Sequence, residues 1–291
     1  MGKTVVITGT STGIGRASLE RMAGAGWTVY AGVRKDSDGD AITAAIAGDV
    51  RPVILDVTSG DHIAALVTRL TDELGPRGLD GLVNNAGVAE GGPIETLSDA
   101  DWRWHFDVNV FGMVNLTREA FPLLRAAKGR IVNIGSIAGR IASPLAAPYA
   151  AGKHAVEAFS EALRFEVEDF GMRVACVEPG EIETAIWEKA DEQLERVVGG
   201  FDAELLERYA RQLDMLYGFV ADGAKRGIPA SKVGDVVHHA LTSSRPKHRY
   251  LVGLDAKAAG HVIARLPDRL RRRALAVNNA RWTRMGHKLR S

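Results

Sequence analysis

Cysteine is almost absent from this chain: one occurs in 291 residues, Cys176. No intrachain disulfide can form, and a reducing compartment is expected. Cys176 lies in the apolar run 174–177 with no adjacent basic residue, the setting of a buried structural thiol rather than a nucleophile. Neither sign of charge dominates. Lys and Arg number 37 against 36 Asp and Glu, a formal net charge of +1 that exerts no overall pull toward nucleic acid or membrane. No apolar stretch reaches the roughly 18 residues that would span a bilayer. The N-terminus runs straight into Lys3-Thr-Val-Val-Ile-Thr-Gly9 without an apolar leader, and position 6 is Val rather than the Ser or Thr of a myristoylation signal. A cytoplasmic protein is the expectation. Linkers rich in Pro, Gly or Ser and internal repeats are also lacking, so one domain over 1–264 is expected. It carries an insertion at 185–230 and a C-terminal extension at 265–291.

What is present is a regular alternation. Short runs rich in β-branched residues at 4–8, 28–33, 52–55, 81–84, 130–135, 173–177 and 249–252 read as strands. Most are apolar throughout, as parallel strands covered on both faces must be. Between them lie helical stretches near 14–23, 63–74, 100–127, 149–170 and 233–243. This pattern predicts an α/β fold: a doubly wound, Rossmann-type, mostly parallel seven-stranded sheet with helices on both faces.

The first strand–helix junction is glycine-rich: Gly9-Thr10-Ser11-Thr12-Gly13-Ile14-Gly15. Glycines there permit a tight turn and close approach of backbone to a pyrophosphate, while the helix N-terminus supplies N–H groups and dipole. A purely structural turn would also use glycines. Further along, Tyr149 and Lys153 stand four apart in a helical stretch and so share a face. A free phenol, with a pKa of about 10, is a poor base at neutral pH. A nearby ammonium favours the phenolate, so Tyr149 could exchange a proton with a substrate oxygen. Ser136, thirteen residues upstream at a strand end, is placed to stabilise charge developing on that oxygen. A Tyr-x-x-x-Lys spacing alone occurs on any helix. Its meaning comes from Gly9, Asn84, Ser136 and Pro179 all falling at carboxyl ends of strands, where open α/β sheets bind ligands.

Together these motifs resemble the classical short-chain dehydrogenase/reductase family over residues 3–253. The resemblance rests on the G-x-x-x-G-x-G turn, Asn84-Asn85-Ala86-Gly87, Asn109, Ser136, Tyr149/Lys153 and Pro179-Gly180-Glu-Ile182-Glu-Thr184. It implies hydride transfer between a nicotinamide cofactor and a carbinol or carbonyl carbon, with Asn109, Ser136, Tyr149 and Lys153 as the catalytic set. Asn109 would hold a water of a proton relay, and Lys153 would also bind the nicotinamide ribose. Cofactor contacts would come from Gly9, Ser11, Thr12, Gly13, Ile14, Gly15, Arg34, Asp56, Val57, Asn84, Ala86, Gly87, Tyr149, Lys153, Pro179, Gly180, Ile182 and Thr184. A homodimer or homotetramer is implied as well. His105 and His154 read as ordinary surface or packing residues, and Glu178 either faces the site or caps its strand.

At the end of the second strand, Val33 stands where NAD-preferring relatives carry Asp, and Arg34 follows. A missing carboxylate and a guanidinium suit a 2′-phosphate, so NADP(H) is favoured. Asp36 and Asp38 could still reach a ribose, which keeps NAD(H) open. The insertion carries Trp187, Phe201, Tyr209, Leu213, Leu216, Tyr217 and Phe219, either an amphipathic lid or packing, and an apolar alcohol or ketone is the expected substrate. The strand at 249–252 and the helical extension after it look like the steroid- and retinol-dehydrogenase-like branch. From Arg265 to Arg290 nine Lys and Arg face one acid, Asp268, with apolar residues between. This basic amphipathic helix could contact an anionic membrane surface or pack on the enzyme. No aromatic–basic surface marks nucleic-acid binding. The alternative from another class is a dinucleotide-binding redox sensor without catalysis, against which both Tyr149 and Lys153 stand. A nucleotide-sugar epimerase would carry a G-x-x-G-x-x-G turn and a larger C-terminal domain.

Overall fold

The computed structural model describes residues 2–184, 194–195 and 198–290. In chain order the first half comprises β1 (Thr4–Ile7), α1 (Gly13–Ala23), β2 (Thr28–Val33), α2 (Asp36–Ala45), β3 (Val50–Ile54), α3 (Gly60–Leu74), β4 (Gly81–Asn84), α4 (Asp99–Phe106) and α5 (Gly112–Ala127). The second half comprises β5 (Arg130–Ile134), α6 (Ala147–Val167), β6 (Arg173–Pro179), β7 (Ile182–Glu183), α7 (Ala203–Arg226), β8 (Ile228–Pro229), α8 (Ser231–Thr242), β9 (Arg249–Val252), α9 (Leu254–His261) and α10 (Asp268–Arg290).

Seven strands form one sheet in the order β3-β2-β1-β4-β5-β6-β9, with every neighbouring pair parallel. The expected seven-stranded sheet is therefore parallel throughout. Its strands are apolar on both sides because both sides are covered. Val5 and Ile7 of β1 join the cluster that includes Leu19 and Met22 of α1, Ile42 of α2 and Val233 and Val237 of α8. Val6, between them, joins the cluster under α3, α5 and α6 with Leu66, Leu116 and Leu163. The chain leaves β1 toward β2 and β3, then crosses back to β4 and proceeds the other way. This reversal opens a crevice at the carboxyl ends of β1 and β4.

Two helical assignments differ from the sequence reading. Helix α2, absent from the helical stretches read in the sequence, follows β2, and its Asp-Ser-Asp-Gly-Asp start has poor helix formers. Its Gly39 packs so closely on Pro52 of β3 that a Cβ would stand 2.9 Å from the ring. The single helix expected over 100–127 is interrupted by a π-helical turn, Asp107–Phe111, between α4 and α5. That turn carries Asn109.

The insertion and the basic tail pack on each other. Gly218 of α7 lies against the carbonyl of Trp282, and Gly286 of α10 lies against the carbonyl of Asp214. Buried Asp222 is held by Arg281 (2.5 Å), the Trp282 indole N–H (3.1 Å) and Arg226 (3.1 Å). Asp214 accepts from Arg290 at 2.9 Å. The amphipathic tail thus folds on the enzyme, although Arg269, Leu270, Arg272, Arg273 and Val277 remain exposed. Trp187 of the expected lid lies outside the described residues. Among the described residues no helix is long and apolar enough to cross a membrane.

Candidate active site

The glycine turn is built from backbone. Gly9 and Gly13 have φ of +68° and +60°, the left-handed region that only glycine enters freely. A Cβ on Gly15 would overlap the Gly9 carbonyl oxygen and stand 2.5 Å from the Asn85 amide nitrogen. The adjacent β4 end braces the turn. Asn85 donates through Nδ2 to the carbonyls of Thr8 (2.8 Å) and Gly9 (3.0 Å), while Thr8 Oγ1 accepts from the N–H groups of Asn85 and Ala86. Thr8 and Asn85 escaped the sequence reading, although Asn85 lies inside the motif that it quoted.

A dinucleotide fits these residues. α1 begins after Thr12 with no side-chain cap and no acid in its first turn. By contrast, α3, α4 and α7 are closed by Ser59, Ser98 and Asp202. The open N–H groups and dipole of α1 form an anion site beside Ser11, Thr12 and Gly13. Thr184, 171 residues after Gly13, comes to the same place, its Cγ2 3.3 Å from where a Gly13 Cβ would be. Ile14 packs against the core and Ile182 is buried in β7. Gly180 and Glu181 wrap Asp255, whose Oδ2 accepts from Glu181 N at 2.7 Å, and the Gly180 N–H bonds to the Val252 carbonyl. Pro179-Gly180 is thereby held at the end of β6.

Arg34 is exposed at the end of β2, close enough to Asp56 to help hold its carboxyl below the usual range. The larger cause is the Thr58 backbone N–H, which with the Thr58 hydroxyl donates to Asp56 Oδ1 at 2.9 and 2.7 Å. Asp36 and Asp38 fall in the first turn of α2, where carboxylates complement the helix dipole. Val57 is buried against Gly112. Asn84 departs from its expected place. Its side chain points into the core, donating to Thr117 Oγ1 (3.0 Å) and Asn133 Oδ1 (2.9 Å), because the alternation along β4 turns it away from the crevice. Only its backbone can serve a cofactor.

At the carboxyl end of β5, Ser136 accepts from Ala138 N at 3.1 Å, and its hydroxyl lies beside the Tyr149 phenol. Tyr149 projects from the first turn of α6, and Lys153 follows one turn later with its Nζ 5.8 Å from the Tyr149 ring centroid. Burial raises the phenol pKa, and the neighbouring Ser136 side chain opposes this. Burial brings Lys153 down to about 8, and its ammonium donates to the Ile134 carbonyl at 2.8 Å. A Cβ on Gly87 would stand 2.8 Å from Asn109 Oδ1 and 3.8 Å from Lys153 Nζ, so Gly87, Asn109 and Lys153 meet. The Asn109 amide is fully engaged with Val88, accepting from its N–H (2.9 Å) and donating to its carbonyl (3.0 Å).

Beneath this cluster lies an ion network that the sequence did not signal. Glu178, with no exposed surface, is paired with Arg140 of the Ser136 loop and with Arg249 of β9 (2.6 Å). Arg249 also grips Glu157 (2.7 Å), which accepts from the Cys176 thiol. Burial pushes Glu178 up to about 7 against the pull of Arg140, and burial beside Glu157 raises the thiol. Cys176 is the buried structural thiol expected. His154 is exposed, whereas His105 is buried, a packing position, and touches Asn109 at 3.2 Å.

Known proteins resemble this chain in sequence and fold. Residues 3–195 match the short chain dehydrogenase family. The NADPH-dependent 3-dehydrocapnine reductase of Ornithobacterium rhinotracheale is 36% identical over 91% of this chain and 93% of its own. The 17-beta-hydroxysteroid dehydrogenase type 6 of Bos taurus is 36% identical over 92% and 86%. A short chain dehydrogenase from Burkholderia cenocepacia, solved in complex with NADP, superposes with a TM-score of 0.70 at 26% identity, covering 94% of this chain and 96% of that one. This chain belongs to the short chain dehydrogenase family and is an oxidoreductase.

Proposed function

We propose that this protein interconverts a lipophilic secondary alcohol and its ketone with NADP(H) as cofactor, using Tyr149 as the acid and base. The observation that carries this reading is the placement of Ser136 beside the Tyr149 phenol, next to the buried Lys153 ammonium, at the sheet edge that also holds the open glycine turn. The bound nicotinamide would supply or accept the hydride. In the reducing direction Tyr149 donates its phenolic proton to the substrate oxygen, and Ser136 hydrogen-bonds that oxygen as charge develops on it. Lys153 then stabilises the phenolate that remains. The raised pKa of Tyr149 keeps it protonated and ready to donate at neutral pH. Pro179, Gly180, Ile182 and Thr184 would hold the nicotinamide side of the cofactor, and the α1 N-terminus its pyrophosphate.

Arg34, with Val33 rather than a carboxylate at the end of β2, supports NADP(H), as does the NADPH dependence of the 3-dehydrocapnine reductase relative. The steroid dehydrogenase relative supports a lipophilic substrate. Titration with NADPH and NADH, followed by nicotinamide fluorescence, tests the cofactor. NADPH should bind more tightly, and Arg34→Ala should weaken it about tenfold while sparing NADH. Tighter NADH binding unaffected by that substitution refutes the preference. A panel of steroid, retinoid, aliphatic and sugar carbonyls, followed by nicotinamide absorbance, tests the substrate class; selective turnover of the sugars would overturn it.

A further inference from the structure

His105 is a buried imidazole that the catalytic scheme leaves unused. It lies at the end of α4, four residues before Asn109, so the two side chains share a face across the π-helical turn. Opposite them runs the segment leaving Gly87. Asn109 reads the backbone of Val88 with both ends of its amide, and His105 Nε2 accepts from the N–H of Glu90 at 3.1 Å. Residues 88 and 90 are two apart. Asn109 and His105 thus stitch successive same-side positions of that segment to one helix face. This segment leads out of Gly87, where Asn109 and Lys153 meet.

The ring is also met from its other side. Asn109 Nδ2 approaches His105 Nδ1 at 3.2 Å, while the Asn109 amide cannot turn over because Val88 fixes both of its ends. Two N–H groups therefore face the two ring nitrogens. A neutral imidazole offers one lone pair, and an imidazolium offers none. Protonation would set ring N–H groups against both donors.

We infer that His105 is an acid-sensitive positioning residue: its neutral ring accepts the Glu90 N–H and so holds the Val88–Glu90 segment beside Asn109 and Lys153, and protonation releases that segment. The groups around it are Asp101 one turn back on α4, Glu90 on the segment it holds, Asp107 in the π-helical turn, and Tyr149 and Lys153 on α6, which packs against both α4 and that turn. Burial, the largest cause, pushes the His105 pKa below 6.5, while the Glu90 backbone and then Asp101 pull more weakly toward the charged ring. A histidine with a depressed folded-state pKa holds its neutral contacts above the unfolded value and loses them as pH falls through the folded one. Acid should therefore loosen the site from this edge.

The inference rests on Tyr149 and Lys153 being the reaction centre, so its test includes a readout independent of turnover. Hydrogen exchange at the Glu90 amide, measured by NMR between about pH 5 and 8, should show protection lost on the acid side as the ¹⁵N signals of His105 report protonation. His105→Gln keeps an acceptor for Glu90 but cannot titrate. It should retain the protection at acid pH, and its kcat at pH 7 should stay within about threefold of wild type. Its kcat should also lack the acid fall of the wild type, with KM for NADPH unchanged in both. His105→Phe, which has no acceptor, should lose about tenfold in kcat at every pH. An acid fall that persists unchanged in His105→Gln overturns the inference, as does Glu90 protection indifferent to His105 protonation. If the wild type turns over no carbonyl, the catalytic reading fails while the exchange result still decides the role of His105.

Discussion

The two halves of the crevice are built from different materials. On the nucleotide side, the turn from Gly9 to Gly15 is backbone packed against backbone, braced by the Asn85 amide and the Thr8 hydroxyl, without a charged side chain. On the chemical side, Ser136, Tyr149 and Lys153 are ionisable or polar groups seated on an ion network of Glu178, Arg140, Arg249 and Glu157. The first half should be sensitive to a single added methyl group and indifferent to ionisation. The second should tolerate small changes of volume and fail when a proton or charge is removed.

Tyr149→Phe gives the sharpest test, because it removes one oxygen and little else. Turnover should fall about 10³-fold, roughly 4 kcal/mol of transition-state stabilisation, with NADPH affinity nearly unchanged in a fluorescence titration. Turnover close to wild type would break the comparison at its strongest point. Lys153→Met comes next, with kcat lower by about 10²-fold and no loss in Tm. Holding this lysine charged at neutral pH costs about 3 kcal/mol, the difference between its ordinary pKa and the folded value of about 8. Its depressed pKa also means that the ammonium is lost as pH rises through about 8, so wild-type kcat for ketone reduction should decline there.

Gly15→Ala probes the other half. Its Cβ would overlap the Gly9 carbonyl, so NADPH affinity should drop about 30-fold, near 2 kcal/mol. The pH profile of the remaining turnover should keep its shape, and a shifted profile would show that the halves are not separable. The smallest effect belongs to a region outside both. Asp222→Asn weakens the clasp of α7 to α10 through Arg281 and Trp282 and should cost about 1–2 kcal/mol in denaturant unfolding. Its kcat should stay within about twofold. A large loss of kcat would mean that the helical clasp takes part in shaping the chemical half.

Much of the sheet was legible because parallel strands buried on both faces leave uninterrupted apolar runs; β2, β4 and β9 match the expected segments residue for residue. α2 was not, because Asp36, Asp38 and Gly39 are weak helix formers and packing on β3 outweighs their propensity. The π-helical turn has no local signature at all. It is one residue longer per turn than an α-helix, and what rewards it is the engagement of Asn109 with Val88.

By itself the sequence determined the architecture, the glycine turn and the order of Ser136, Tyr149 and Lys153, because strand burial, helical spacing and turn geometry act over a few residues at a time. Only the tertiary structure decided that Asn84 turns inward while Asn85 braces the turn, and that Thr184 comes over Gly13. It also decided that His105 meets Asn109 and the Glu90 N–H, that Glu178 is buried between two arginines, and that the basic tail lies on α7. Each of these is a contact between separate elements or across a break in one. Its partners are chosen by packing direction and by the need to satisfy buried polar groups, and neither is written in local spacing.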